Sequence, residues 1–375
     1  MTIIVVGAGL AGGTAVTELR EQGYDGRLVL IGSEPHPPYE RPPLSKGYLL
    51  GNDPIADAFV HDAAWYTEHD VDLRSATTVT ALDPARQQIA AGETLAYDQL
   101  LLAMGSNPRR FRLAEESGTP TAYLRTIEDS DRLKVAMAAG ARIAVVGAGW
   151  IGLEVTAAAR AAGCEVTVYE QAALPLLGVL GPEVARVFAE LHRAHGVDLR
   201  LGASVTAEDL RAADLVVVGI GVAPATELAE SAGLAVDNGV LVDAQLRTSD
   251  RSVYAIGDIA NHDHPRLGRR VRVEHWETAI EQGKTAAHNL VGAAEAYERL
   301  PYFFTDQYDL GMEYVGSVGP AGYDRVDIDG DPDSVASDQG AFRAYWVKDD
   351  VVVAAMHVND WDASDAIRES IGTSR

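Results

Sequence analysis

The sequence predicts an α/β protein in which one strand–turn–helix–strand unit is used twice and a small α/β domain with an antiparallel sheet follows. Three observations carry that expectation. Apolar runs at residues 3–6 and 143–146 each break into a glycine turn, and each turn leads into a helix-like stretch. Beyond residue 300, the segments 311–318, 341–347 and 351–357 read as strands of an antiparallel sheet.

The first copy has the turn Gly7-Ala8-Gly9-Leu10-Ala11-Gly12, a helix running to Gly23, and a second apolar run over 28–31 that ends at Glu34. The second copy has Gly147-Ala148-Gly149-Trp150-Ile151-Gly152, a helix to Ala162, and a strand over 165–169 that ends at Glu170. One such turn is common punctuation. Here both follow a buried strand, precede a helix and carry an acid at roughly the ~20-residue distance of the dinucleotide fingerprint, so two Rossmann-like domains are expected. In that fingerprint the first glycine makes the tight turn, the second admits a pyrophosphate and the third lets helix and strand approach. The pyrophosphate then meets unpaired amides at the helix amino terminus. Glu170 would accept hydrogen bonds from a free ribose 2′-hydroxyl and oppose a 2′-phosphate, and no Arg or Lys lies between Glu170 and Gly181. NADH is therefore expected in preference to NADPH. Solvated acids at strand ends are the plainer reading of Glu34 and Glu170.

Composition limits the alternatives. The formal charge of −24 opposes nucleic acid and anionic membrane surfaces. With Cys164 as the only cysteine, no disulfide, cysteine-rich metal site or redox-active cysteine pair can form within the chain. The histidines of His262-Asp263-His264 and the pair His192/His195 have metal-like spacing but no third ligand in register, so no metal is expected. The amino-terminal apolar run is too short for a signal peptide and no segment approaches ~18 continuous apolar residues, so a cytoplasmic protein is expected.

More specific stretches are Pro37-Pro38-Tyr39-Glu40-Arg41-Pro42-Pro43-Leu44-Ser45-Lys46-Gly47-Tyr48-Leu49, Tyr254-Ala255-Ile256-Gly257-Asp258, Val273-Glu274-His275-Trp276 and Phe303-Phe304-Thr305-Asp306-Gln307-Tyr308. Through these the chain resembles the ferredoxin reductases, putidaredoxin reductase-like, of the FAD-dependent pyridine nucleotide-disulfide oxidoreductase family, whose fold is glutathione reductase-like. The resemblance implies an FAD domain from residues 1–108 and 224–300, an NAD domain from 109–223, and a carboxyl-terminal domain from 301–375. It also implies FAD contacts from Gly7, Gly9, Gly12, Glu34, Arg41, Lys46, Val79, Gly105, Arg125, Gly257, Asp258, Trp276 and Phe304. Gly147, Gly149, Gly152, Glu154, Glu170 and Gly221 complete the cofactor-binding set. Lys46 and Glu154 are the implied catalytic residues, paired beside the flavin and aimed at the nicotinamide amide. Other readings stand beside these: an acid favoured by the helix dipole in the first turn for Glu154, a helix cap for Asp258, and core packing for Trp276, Phe304 and Val79.

The stretch 41–46 contains no sulfur, which removes the thiol chemistry of many relatives. The resemblance then implies hydride transfer from NADH to FAD and single-electron delivery to a two-iron two-sulfur ferredoxin that feeds an oxygenase. Arg266, Arg269, Arg270 and Arg272 are the expected docking cations for that acidic partner, with Arg109, Arg110 and Arg112 as a weaker rival. Two other activities stay open: a small-molecule (quinone-type) reductase, and a redox-regulated interaction protein like apoptosis-inducing factor. Relatives carry tryptophan where this chain has Phe304, have a β-meander where residues 201–215 are short, and extend beyond the position of Arg375. Monomer and homodimer are both compatible with the sequence.

Overall fold

The computed structural model describes every residue except Ala321 and Gln339, and the side chains of all described residues except Ser337 and Asp338. The chain forms two compact units. The first gathers Met1–Arg41, Pro54–Asn107 and Ala223–Leu300; the second gathers Pro42–Asp53, Pro108–Val222 and Pro301–Arg375.

The first unit is organised by a five-stranded parallel sheet in the order Val253–Ala255, Gln99–Leu102, Thr2–Val6, Arg27–Ile31, Val71–Arg74. Counted along the chain this is order 5-4-1-2-3, so the strand before the glycine turn sits where the winding reverses. Ligands of such sheets bind at that reversal. Ile3, Ile4 and Val5 are fully buried, which explains why this strand reads as a continuous apolar run rather than an alternating one. The helix Leu10–Glu21 turns Ala11, Ala15, Val16 and Leu19 inward and stops at Gly23, whose positive φ lets its N–H reach the Arg20 carbonyl. Against it lies the helix Trp276–Leu290, and the two approach so closely that a Cβ on Gly283 would stand 2.9 Å from the Ala11 carbonyl oxygen.

The second unit repeats the plan. Its parallel sheet runs Asp198–Leu201, Val166–Glu170, Ile143–Val146, Leu215–Val218, Thr121–Ala122. The helix Trp150–Ala161 again ends in a positive-φ glycine, Gly163, donating to the Arg160 carbonyl. A shortened connection follows Asp198–Leu201: one helix, Ala207–Arg211, closed by a reciprocal Thr206–Asp209 capping box.

Residues 301–375 form a five-stranded antiparallel sheet in the order Tyr302–Gln307, Leu310–Gly316, Val351–Val358, Phe342–Lys348, Arg325–Gly330. Three of these are the expected strands. Arg325–Gly330 escapes a sequence reading because it is a largely exposed edge whose charges blur the alternation. Tyr302–Gln307 escapes it because its buried face carries the polar Thr305 and Gln307 while Phe304 stands half-buried on the other, so no apolar–polar alternation results. Trp346 is fully buried and donates its indole N–H to the Leu180 carbonyl at 3.1 Å, fastening the sheet to the helix Leu177–Ala194.

Among the buried histidines are His192, in that helix, and His262, in the strand Ala260–His264. Burial pushes each down to about 4. Because the folded values lie below the unfolded value near 6.5, the unfolded chain takes up protons first as the solution acidifies. Stability is thus fully present above about pH 6.5 and is lost as pH falls toward 4. The melting temperature should decline across that window, and His192→Gln or His262→Gln should flatten the decline. Variants with the same slope as the parent would show that neither ring is buried uncharged.

Candidate functional site

The two glycine turns match atom by atom. A Cβ on Gly7 would lie 2.2 Å from the Ala103 carbonyl oxygen, and one on Gly12 would lie 2.0 Å from the Gly7 carbonyl oxygen. In the second turn a Cβ on Gly147 would lie 2.5 Å from the Gly219 oxygen, and one on Gly152 would lie 2.2 Å from the Gly147 oxygen. The first and third glycines are therefore demanded by the fold itself. The middle ones are not. A Cβ on Gly9 meets nothing within 4 Å, and one on Gly149 meets only the Gly219 oxygen at 3.8 Å. Both glycines also cap their helices without a side-chain acceptor for the helix amides. Space and unsatisfied donors at the same point fit a pyrophosphate, and they account for glycine where internal packing does not. Gly219, unassigned from sequence, lies against Gly152, 3.2 Å from its Cα at the Cβ position; it holds the place that Ala103 holds in the first turn.

The acids after the two units differ in what holds them. In the first, Glu34 accepts hydrogen bonds from the Tyr39 hydroxyl and from Arg41 Nη2, the latter at 2.8 Å. Burial raises the Tyr39 pKa, and the Glu34 charge and hydrogen bond raise it further against Arg41. Arg41 also feels the charge of Asp258, which lies in the turn Gly257–Ile259, so three of the expected ligand residues converge. The Gly257 N–H donates to Gln282 Oε1 at 2.8 Å and fixes that turn. Glu40 is raised by burial and lowered by a hydrogen bond with Trp276, the first residue of its helix.

In the second unit, Glu170 Oε2 accepts from the Ala148 N–H inside the glycine turn and Oε1 from the Ala172 N–H, both at 2.8 Å. Its carboxylate is thereby placed beside the turn. Arg200, on the neighbouring strand, is a cation that spacing along the chain did not reveal. It pairs in register with Tyr169, lies over that ring, and is bound to Asp198 and Asp209, so its charge is already answered. Gly105 and Gly221 both have positive φ, and a Cβ on Gly221 would meet nothing. Val79 is half-buried against the first core, and Arg125 precedes the Thr126 cap of the helix Ile127–Ala138.

Lys46 and Glu154 form an ion pair although 108 residues separate them. Glu154 is buried; Ser45 Oγ donates to its Oε2 at 2.5 Å and Thr305 Oγ1 to its Oε1 at 2.6 Å. The expectation that Glu154 occupies the first helical turn is corrected here. That turn holds no acid, and Glu154 lies one residue further on, facing inward, so three donors hold it rather than the helix dipole. Lys46 Nζ also stands 5.5 Å from the Phe304 ring centre. Burial raises the pKa of Asp306; Lys46 lowers it and Glu154 raises it. Ser45 and Thr305 carried no assigned role from sequence. Their only signal was membership of the two motif stretches.

The proposed docking cations divide. Arg270 Nη1 donates to the Val242 and Asn261 carbonyls at 2.9 Å, and Arg272 is bound to Glu274 and the Asp258 carbonyl. Arg266 and Arg270 are exposed, and Arg269 and Arg272 are half-buried. In the rival cluster, Arg110 pairs with Glu115 and Arg112 with Glu116. Among the described residues no group of three His, Cys, Asp or Glu is arranged to hold a metal ion.

Residues 1–283 match the family described as pyridine nucleotide-disulphide oxidoreductase. The chain belongs to this family. Within it, the chain is 42% identical to the anthranilate 1,2-dioxygenase system ferredoxin–NAD(+) reductase component of Burkholderia cepacia, over 95% of this chain and 90% of the relative. It is 36% identical to putidaredoxin reductase of Pseudomonas putida, over 95% and 88% of the two chains. In three dimensions it is similar to the reductase in the covalent putidaredoxin reductase–putidaredoxin complex, with TM-score 0.91, 34% identity, and coverage of 100% and 94%. This family member nevertheless cannot use a cysteine pair of its own, since its one cysteine is Cys164, fully buried, with its thiol raised by burial.

Two stability experiments follow. Gly12→Ala should lower stability by roughly 2 kcal/mol or more through overlap with the Gly7 carbonyl, while Gly9→Ala should stay within about 0.5 kcal/mol of the parent. Equal melting temperatures for the two variants would contradict the division between packing and open glycines. Lys46→Met should cost roughly 3 kcal/mol by leaving Glu154 charged and unpaired, and Lys46→Met/Glu154→Leu should regain part of the loss. A double variant weaker than the single one in urea titration would argue against a buried charge at Glu154.

Proposed function

We propose that the protein is an FAD-dependent NADH:ferredoxin oxidoreductase, taking hydride from NADH and delivering single electrons to a two-iron two-sulfur ferredoxin of an oxygenase system. The observation that carries this reading is the doubled glycine cradle with an open middle glycine in each copy, in a chain that has no second cysteine. The relatives named as ferredoxin reductases of oxygenase systems support the choice of acceptor. Per turnover, one NADH becomes NAD⁺, two ferredoxins each gain one electron, and one proton is released.

When bound, FAD and NADH supply the redox chemistry. The chain supplies binding and position. Gly9 and the amides of its helix would hold the FAD pyrophosphate, Glu34 the ribose, and Arg41 and Asp258 the phosphate and ribityl oxygens. Gly149 would serve the NADH pyrophosphate, and Glu170 the adenosine ribose. Glu154, fixed by Ser45, Lys46 and Thr305, would accept from the nicotinamide amide, and Lys46 would keep that carboxylate in place. Trp276 and Phe304 are assigned to the flavin ring, and Arg266, Arg269, Arg270 and Arg272 to the ferredoxin. Arg270 and Arg272 also bond backbone carbonyls, which would stiffen the segment. Among the described residues no helix is long and apolar enough to cross a membrane.

The test is to purify the protein, identify its flavin and compare NADH with NADPH as donors to several ferredoxins. A yellow protein that prefers NADH and loses ferredoxin turnover with rising salt, while quinone turnover holds, is the expected result. A colourless preparation would sink the reading, and salt-independent transfer would remove the arginine docking face. Glu170→Ala combined with Gln171→Arg should move the NADPH/NADH ratio of kcat/KM upward by roughly tenfold, the size of one charge-assisted hydrogen bond. An unchanged ratio would misplace the ribose.

A further inference from the structure

The Lys46–Glu154 pair continues into a line of buried side chains within the second unit. Thr305 Oγ1 bonds Glu154 Oε1 at 2.6 Å, Gln307 Nε2 bonds Thr305 Oγ1 at 3.2 Å, His192 Nε2 meets Gln307 Oε1 at 2.9 Å, and the Tyr308 hydroxyl meets His192 Nδ1 at 3.2 Å. Thr305, Gln307 and His192 have no exposed surface. Thr305 and Gln307 stand two apart on the strand Tyr302–Gln307 and so share a face.

This line has one internally consistent direction. A carboxylate only accepts, so Thr305 must donate its hydroxyl proton to Glu154. The Thr305 oxygen then accepts from the Gln307 amide, and the Gln307 carbonyl must receive a proton from His192 Nε2. His192 Nδ1 is left as the acceptor for Tyr308. The other neutral tautomer reverses each step: Nε2 would accept the Gln307 amide, the Gln307 carbonyl would turn to Thr305, and the threonine hydroxyl would leave Glu154. We propose that His192 is a positioning residue, acting through Gln307 and Thr305 to keep the Thr305 hydroxyl pointed at Glu154.

Burial keeps the His192 ring neutral, lowering it to about 4 against the Gln307 hydrogen bond and with help from His195. The groups facing it are His195, stacked on the Tyr308 ring at 3.6 Å, and Tyr308 itself; those facing Glu154 are Lys46 and Asp306. The importance of this aim for hydride transfer rests on the reading of Glu154 given above. The hydrogen-bond direction does not.

Infrared spectroscopy of isotope-labelled protein tests it without nucleotide. The Glu154 carboxylate band is assigned by its loss in Glu154→Gln. Thr305→Val should shift that band, His192→Phe should shift it the same way, and His192→Gln, which keeps a donor near the Nε2 position, should restore it. His192→Phe should add nothing in the Thr305→Val background, because the effect passes through that hydroxyl. An unmoved band in His192→Phe, or a further shift in the double variant, overturns the proposal. Should His192→Phe fail to fold, nitrogen NMR of the labelled parent decides: a neutral Nε2–H ring at pH 7 supports the direction, and the Nδ1–H form reverses it. In stopped-flow measurements His192→Phe should slow flavin reduction at saturating NADH about tenfold, with His192→Gln near the parent. Absence of NADH reduction in the parent would end the functional reading and leave the infrared outcome standing.

Discussion

A carboxylate taken out of water must be answered by positive charge and hydrogen-bond donors, and Glu154 gathers all of its answers from distant parts of the chain. Ser45 and Lys46 come from a proline-rich loop, and Thr305 from the first strand of the carboxyl-terminal sheet. None of these segments shares a local periodicity with the helix that bears the acid. The requirement to satisfy one buried charge thus ties the Pro42–Asp53 segment and the carboxyl-terminal sheet to the second parallel-sheet domain, within the unit they form together.

Backbone crowding plays the matching part in the turns. In each copy, the helix can start so close to its strand only because the third glycine sits against the first glycine's carbonyl oxygen. This brings the helix amides to the edge of the sheet where the strand order reverses. A geometric constraint of the fold therefore leaves helix amides and open space at one point, an arrangement that fits an anion. The middle glycines then keep the approach open.

Much of this was legible in the sequence because it is local. The strands Thr2–Val6 and Ile143–Val146, their helices and the acids that follow are fixed by short-range pattern, and the structure has them in the expected order. What escaped is what pattern cannot encode. Glu154 looked like a first-turn acid because spacing along a helix says nothing of Thr305 arriving from a strand 151 residues away. Arg200 was invisible as a neighbour of Tyr169 because parallel pairing across a crossover has no sequence register. The carbonyl contacts of Arg270 and Arg272 were hidden because a charge count says nothing of which backbone oxygens a guanidinium reaches.

The solitary thiol has a consequence for how such an enzyme would live with oxygen. Cys164 sits behind the helix Trp150–Ala161 with Arg160 nearby, its sulfur protonated and screened from solvent. Thiol-directed alkylating agents and peroxides therefore find no accessible cysteine on the folded chain, and no internal disulfide can form whatever the glutathione balance of its surroundings. A family member built this way carries no thiol switch that oxidation could throw.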